Sequence, residues 1–311
     1  MRCLAPAQLD DRDFPYVTTN VFVHVETQML GKSRHELSIN RRTRMWRVQL
    51  MRSKMRMEIK PQRPCMVTGL PGAAGVAKLS ADYLVKQLNG ELFEELYSDA
   101  FPPHVLIKKD GTVELLRNEL YYCKNVKSKS DLIVFTGNTQ AVSSEGQYEI
   151  ANETLARARR LGVVKLFATA AYVVEKPVEK PIVHGAASDT NLIEELKQYG
   201  VAPMDTGSIT GTNGLLFGLA VLQDIPSVCL LSETPAYTTA TGRFVVDAKA
   251  AKALLEVLTK MLGVEIDMKP LDEEAKLSEE FTRRMEEIEQ RTIDEVRKAA
   301  ASRSPKEQMY T

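Results

Sequence analysis

Residues 65–88 read Cys65-Met-Val-Thr-Gly-Leu-Pro-Gly-Ala-Ala-Gly75-Val-Ala-Lys-Leu-Ser-Ala-Asp-Tyr-Leu-Val-Lys-Gln-Leu88. A short apolar run breaks at glycine and proline. Val76, Leu79, Tyr83, Leu84 and Leu88 then recur on one side of a helical repeat. Strand, glycine turn and helix in that order open an α/β unit. The pattern returns downstream. Asp131-Leu-Ile-Val-Phe-Thr136 is a near-continuous apolar strand, as expected where both faces are covered. Ser144 and Gln147 have capping-box spacing before a helix to about Leu161, and Gly162 suits its stop. Val163-Val-Lys-Leu-Phe-Ala168 reads as the next strand, and Ile182 to Ala187 as another. Asp189 or Thr190 caps a helix closed by Gly200. Gly214 to Leu222 is an apolar helix, Val228-Cys-Leu-Leu231 a strand, and Asp247 caps Ala248 to Leu262, ended by Gly263. Around Asp110-Gly111, His104 to Ile107 and Thr112 to Leu116 form a hairpin signal.

The expected fold is therefore a three-layer α/β/α sandwich with a mostly parallel sheet, spanning residues 58–265. Residues 266–298 change character. They are highly charged, with Phe281, Met285, Ile288 and Thr292 on a narrow helical stripe. Residues 299–311 read as a flexible polar tail.

At 311 residues with 44% hydrophobic and 26% charged side chains, the chain is sized for a folded core and is not a disordered polymer. The longest apolar run, Leu215 to Leu222, is far short of a membrane span. Lys+Arg and Asp+Glu both number 41, so no net field attracts nucleic acid. The balance is uneven along the chain. Residues 1–57 hold eleven basic and five acidic residues, which leaves 30 and 36 for the remainder. This Met-rich stretch has no clear period and reads as a basic leader, disordered or outside the fold. A nucleic-acid arm through Arg41 to Arg56 is the other reading. Four separated cysteines, Cys3, Cys65, Cys123 and Cys229, favour buried thiols in a reducing cytoplasm. No signal peptide is expected, because Thr, Asn, His and Glu interrupt Tyr16 to Leu30.

Candidate chemistry is sparse. Gly69, Gly72 and Gly75 lie between strand and helix, where an anion could meet a helix start. Their spacing is GxxGxxG rather than the dinucleotide GxGxxG, and Lys78 does not complete a Walker loop. Close helix–sheet packing is the plainer reading. Gly207-Ser-Ile-Thr-Gly211-Thr-Asn-Gly214 feeds a helix and could cradle an oxyanion, or be a helix entry capped at Thr212 or Asn213. His104 reads as a surface or packing residue. His184 falls at a strand end, and a Ser208–His184–Asp205 set can be drawn, but no GxSxG surrounds Ser208. No HExxH or His/Cys cluster suggests a metal, and no cofactor is expected. A phosphorylase- or hydrolase-like enzyme using the two glycine loops remains the alternative. The chain ends Met309-Tyr310-Thr311 on a polar tether. An aromatic ring, an adaptable apolar neighbour and a carboxylate make a docking peptide.

In this order, Thr68-Gly-Leu-Pro-Gly-Ala-Ala-Gly75, Asp131-Leu-Ile-Val-Phe-Thr-Gly137, Gly207-Ser-Ile-Thr-Gly-Thr-Asn-Gly-Leu-Leu-Phe-Gly218 and Leu231-Ser-Glu-Thr-Pro235 resemble the archaeal branch of the PAC2 family of proteasome assembly chaperones. The resemblance covers about Pro61 to Gly263 plus the tail. It implies a sandwich similar to nucleoside phosphorylases without their activity, and a homo-oligomer, often a tetramer or pentamer. The implied partner is the α-ring of the proteasome core particle, with neither nucleic acid nor membrane involved. It further implies that Met309, Tyr310 and Thr311 enter pockets between neighbouring α subunits, where a lysine pairs with the terminal carboxylate. No Walker motif is present, so docking is expected to be ATP-independent.

Overall fold

A computed structural model describes residues 51–124, 130–176, 178–236 and 245–302. In chain order the strands are β1 (Arg52–Met55), β2 (Cys65–Thr68), β3 (Glu91–Tyr97), β4 (Val105–Ile107), β5 (Val113–Leu115), β6 (Asn118–Cys123), β7 (Leu132–Gly137), β8 (Lys165–Val173), β9 (Val183–Ala187), β10 (Ala202–Pro203) and β11 (Ser227–Thr234). The helices are α1 (Val76–Gln87), α2 (Ser144–Arg160), α3 (Thr190–Gln198), α4 (Gly211–Val221), α5 (Ala248–Leu262) and α6 (Lys269–Ser302). Nine strands form one sheet in the order β1-β3-β6-β7-β2-β8-β11-β9-β10, while β4 and β5 pair only with each other.

Period-two alternation along the strands divides the core. Met66, Ile133, Phe135, Leu166 and Cys229 face one side, under Ile150 and Leu155 of α2 and Leu216 of α4. Val67, Val134, Phe167, Val228 and Leu230 face the other, under Leu84 of α1, Leu196 of α3 and Leu254 and Leu258 of α5. The result is the expected three layers. The caps follow local chemistry. Asp189 and Asp247 accept the N–H of Leu192 and Ala250, and Gly263 closes α5 at φ 64°. For α2 the cap is Ser143, not Ser144, and Gln147 turns to the Ala141 carbonyl instead.

The sheet is mixed rather than mostly parallel. β7, β2, β8 and β11 are parallel, but β6, β3 and β1 extend that centre antiparallel, and β9 runs antiparallel to β11. The chain joins β3 to β6 through a hairpin excursion without a crossover helix, a connection that suits antiparallel neighbours. The sheet also begins at Arg52, inside the stretch expected to lie outside the fold. β1 pairs Ser53 with Leu96 and covers what would otherwise be the open edge of β3. Residues 1–50 lie outside the described residues.

β3 is unusual in burying two consecutive glutamates. Neighbours on a strand point to opposite faces, so each needs its own cation. Glu94 meets Arg157 of α2 at 2.8 Å, and Glu95 meets Arg56 at 2.8 Å and Arg117 at 3.1 Å. Burial pushes the Cys123 and Cys229 thiols up to about 12. Among the described residues no helix is long and apolar enough to cross a membrane.

Candidate functional site

Both glycine loops end at the carboxyl ends of the parallel strands, and the fold stitches them together. Gly69 ends β2 against α1. A Cβ there would stand 2.3 Å from the Ala77 carbonyl oxygen and 2.8 Å from the Ala81 Cβ. Its role is close helix–sheet packing, the plainer of the two readings. Gly75 caps α1 at φ 63°, following Ala74 at φ 48°. Ala74 is buried in that left-handed conformation, with its carbonyl accepting the Asp247 N–H at 2.9 Å. Gly72 is extended, and a Cβ there would meet nothing closer than 3.9 Å.

The second loop enters α4 without a side-chain cap. Thr210 is the N-cap, and neither Thr212 nor Asn213 plays that part. Asn213 instead reaches across 143 residues of sequence, accepting the Leu70 N–H at 3.1 Å and donating to the Leu70 carbonyl at 3.2 Å. Gln140, after β7, makes a second staple. Its Oε1 accepts the Thr212 N–H at 2.8 Å, and its Nε2 donates to the Pro71 carbonyl. Gly211, at φ 78°, brings the backbone close to Gln140.

Between the stapled loops lies a cleft of about 490 Å³. Gly72 and Ala73 form one wall, Thr206 to Gly211 the other, and Ala170 and Leu231 the floor. Its lining side chains carry no charge. Thr206, Ser208 and Thr210 offer hydroxyls, so the cleft can hydrogen-bond a neutral polar group, and no Asp, Glu, His, Lys or Arg side chain lines it. Tyr172 closes one end, stacked on His184 with ring centroids 4.4 Å apart. His184 Nε2 is 2.9 Å from Glu233 Oε1, and the other Glu233 oxygen accepts the Ile182 N–H at 3.1 Å. The histidine is therefore held by Glu233 and Tyr172, and the Ser208–His184–Asp205 set is not assembled. His104 is exposed just before β4. Among the described residues no group of three or more His, Cys, Asp or Glu side chains could hold a metal ion. Gln140 was not singled out by the sequence, and Glu233 stood inside the Leu231–Pro235 motif without a role, because each acquires its role from a partner distant in the chain.

The candidate docking residues Met309, Tyr310 and Thr311 lie outside the described residues. Their carrier does not. α6 is seated by Leu271, which is fully buried against α5, and by ion pairs from Lys252 to Asp272 and from Lys249 to Glu279. Leu277, between those two ion pairs, and Ile288, beyond them, are exposed.

Known proteins share this architecture. Pyrococcus furiosus PbaB, described as an archaeal proteasome activator, matches with a TM-score of 0.70 and 36% identity over 76% of this chain and 98% of its own. Pyrococcus furiosus PbaA, described as an archaeal homologue of proteasome-assembly chaperone, matches with a TM-score of 0.61 and 26% identity over 83% of this chain and 99% of its own. An uncharacterized protein of Methanocaldococcus jannaschii is 35% identical over 266 residues, which is 85% of this chain and 97% of the relative. The family model for PAC2 matches residues 66–288, taking in both glycine loops, the stapled cleft and most of α6. By fold, by sequence and by the residues that build its loops, this chain belongs to the PAC2 family.

Proposed function

We propose that this protein is an ATP-independent proteasome assembly chaperone that docks its C-terminal Met309-Tyr310-Thr311 into pockets of the core-particle α-ring, with gate opening as a second role. The single observation that carries the reading is the likeness to PbaB, which extends over 98% of that chain at 36% identity. The second role rests on the same likeness, because PbaB is described as an activator and shares more identity with this chain than PbaA does.

Sequence and geometry support a division of labour. The sandwich is a platform, α6 is a spacer, and the tail is the plug. Tyr310 offers buried area with a polar tip, Met309 adapts to an irregular groove, and the Thr311 carboxylate suits a lysine. A tripeptide binds weakly alone. A cytoplasmic homo-oligomer, a tetramer or pentamer, presents several tails to one ring, and tethering raises avidity by roughly 10²–10⁴.

The test is binding of the full chain to purified core particle on native gels. Tyr310→Ala, or deletion of residues 309–311, abolishes the shifted band and leaves the melting curve unchanged. Binding that survives the deletion refutes the tail mechanism. Peptide hydrolysis by preassembled core particle then separates the roles: stimulation by the wild type marks gate opening, and a gain only in assembled α-rings marks chaperoning.

A further inference from the structure

The cleft between the stapled loops plays no part in tail docking, and its hydrogen-bonding groups are one-sided. In the first loop every carbonyl from Leu70 to Ala74 already accepts a hydrogen bond. Leu70 and Pro71 take the side-chain amides of Asn213 and Gln140, Gly72 and Ala73 the N–H groups of Gly75 and Val76, and Ala74 that of Asp247. The N–H groups of Gly72 and Ala73 have no partner among the described residues. On the facing wall the N–H groups of Gly207, Ser208, Ile209 and Thr210 have none either. The cleft therefore presents donors in excess of acceptors. Buried hydroxyls add to them. Among the described residues five buried side-chain polar atoms lack a hydrogen-bond partner, and three of them adjoin this cleft: Thr68 Oγ1, Thr212 Oγ1 and Ser232 Oγ, all on fully buried residues. Thr212 stands between Gly211 and Asn213, both in the cleft wall. Ser232 pairs across the sheet with Ala171, which lines the cleft. Thr68 pairs with Ala168, on the same face as the floor residue Ala170. Stranding a buried hydroxyl is costly, and three stranded around one cavity call for an occupant that meets them.

We propose that the cleft binds a small organic monocarboxylate, its carboxylate met by the loop N–H groups and the buried hydroxyls and its apolar body lying on Ala170, Met204, Ile209 and Leu231 beside Tyr172. An excess of donors selects an acceptor-rich group, and an oxyanion is the plainest one. The field agrees in sign. α1 and α4 both open on the cleft, through Ala73 and Ala77 and through Gly211 and Asn213, and neither first turn holds an acidic residue or a side-chain cap bond. Each helix start carries roughly half a positive charge, so two of them balance about one negative charge. No Lys or Arg lines the cleft, so a polyphosphate would sit there without a cation. Glu233, paired in register with Tyr172, is engaged by His184 and by the Ile182 N–H. The remaining lining is apolar and suits an alkyl or aryl body, and about 490 Å³ is the room of a small-molecule site.

Saturation-transfer NMR of the full chain tests this, with hexanoate, phenylacetate and hydrocinnamate as probes and phenylacetamide and inorganic phosphate as comparisons. At least one carboxylate is expected to bind saturably, about tenfold or more tighter than the amide, and phosphate does not displace it. Two variants place the site. Gly72→Leu projects a side chain into the cleft from extended backbone, where a Cβ meets nothing closer than 3.9 Å. Thr210→Asp sets a carboxylate at the start of α4, a position that aspartate caps well. Both are expected to melt no lower than the wild type and to weaken carboxylate binding by about tenfold or more. Should Gly72→Leu fail to fold, Thr210→Asp decides alone. No saturable binding of any carboxylate overturns the proposal and leaves water as the partner of the three hydroxyls. An amide that binds as tightly overturns the anion, displacement by phosphate overturns the apolar body, and binding retained in the folded variants overturns the location.

Discussion

Replacing Asn213 with alanine removes both hydrogen bonds that hold the first glycine loop to the start of α4. Leu70 is fully buried, and its N–H and carbonyl have Asn213 as their partner. Leaving a buried polar group unmet costs about 1–3 kcal/mol, and two are stranded here. Asn213 borders the cleft, so an entering water can restore part of the loss. The expected destabilisation is therefore about 2–4 kcal/mol, a fall in melting temperature of roughly 5–15 °C for a domain of this size. Urea titration followed by circular dichroism reads it, with an unchanged slope marking a change in stability rather than in compactness. Asn213→Asp keeps an acceptor for the N–H but sets a carboxylate oxygen against the Leu70 carbonyl, so it does not rescue. A double-mutant cycle with Gln140→Ala sharpens the test. The two staples hold adjacent peptide groups, and a coupling of about 0.5 kcal/mol or more is expected. A loss below about 0.5 kcal/mol for Asn213→Ala, within the usual range of surface changes, would refute the staple.

Two further outcomes follow from the packing and the charges. Gly69→Ala forces a Cβ to within 2.3 Å of backbone at Ala77 and destabilises, whereas Gly218→Ala, in α4 with nothing within 4 Å, stabilises by about 0.5–1 kcal/mol; paired thermal melts with opposite signs check this. Burial, with Glu153 and Asp99 nearby, raises the Glu149 carboxyl from 4.5 to about 7, and its Oε2 has no partner among the described residues. The folded state therefore holds the proton more tightly than the unfolded chain, so this group's contribution is full below about pH 4.5 and is lost as pH rises through 7. Glu149→Gln is expected to raise the melting temperature at pH 8 and not at pH 4, and an equal shift at both would contradict the assignment.

Much of the sandwich was legible because its signals are local. The caps at Asp189 and Asp247, the left-handed stops at Gly162, Gly200 and Gly263, and the Asp110-Gly111 hairpin all rest on a few adjacent residues. β3 was not legible, since the segment holding Glu94 and Glu95 has no clear pattern until Arg157, Arg56 and Arg117 arrive from three other segments. β1 failed for a related reason. Its basic, Met-containing sequence becomes a strand only because β3 offers an edge. The glycine loops were found, but not that Asn213 and Gln140 join them. A hydrogen bond across 143 residues leaves no periodic trace.

The seat of α6 has a mechanical consequence. Its ion pairs and its buried leucine all fall in the first third of a 34-residue helix. The remainder, roughly 35 Å at 1.5 Å per residue, is a lever pivoting on α5. A tilt of about 10° at that pivot sweeps the far end of the helix through about 6 Å over such a length, so the position of Ser302 is governed by a joint far from it.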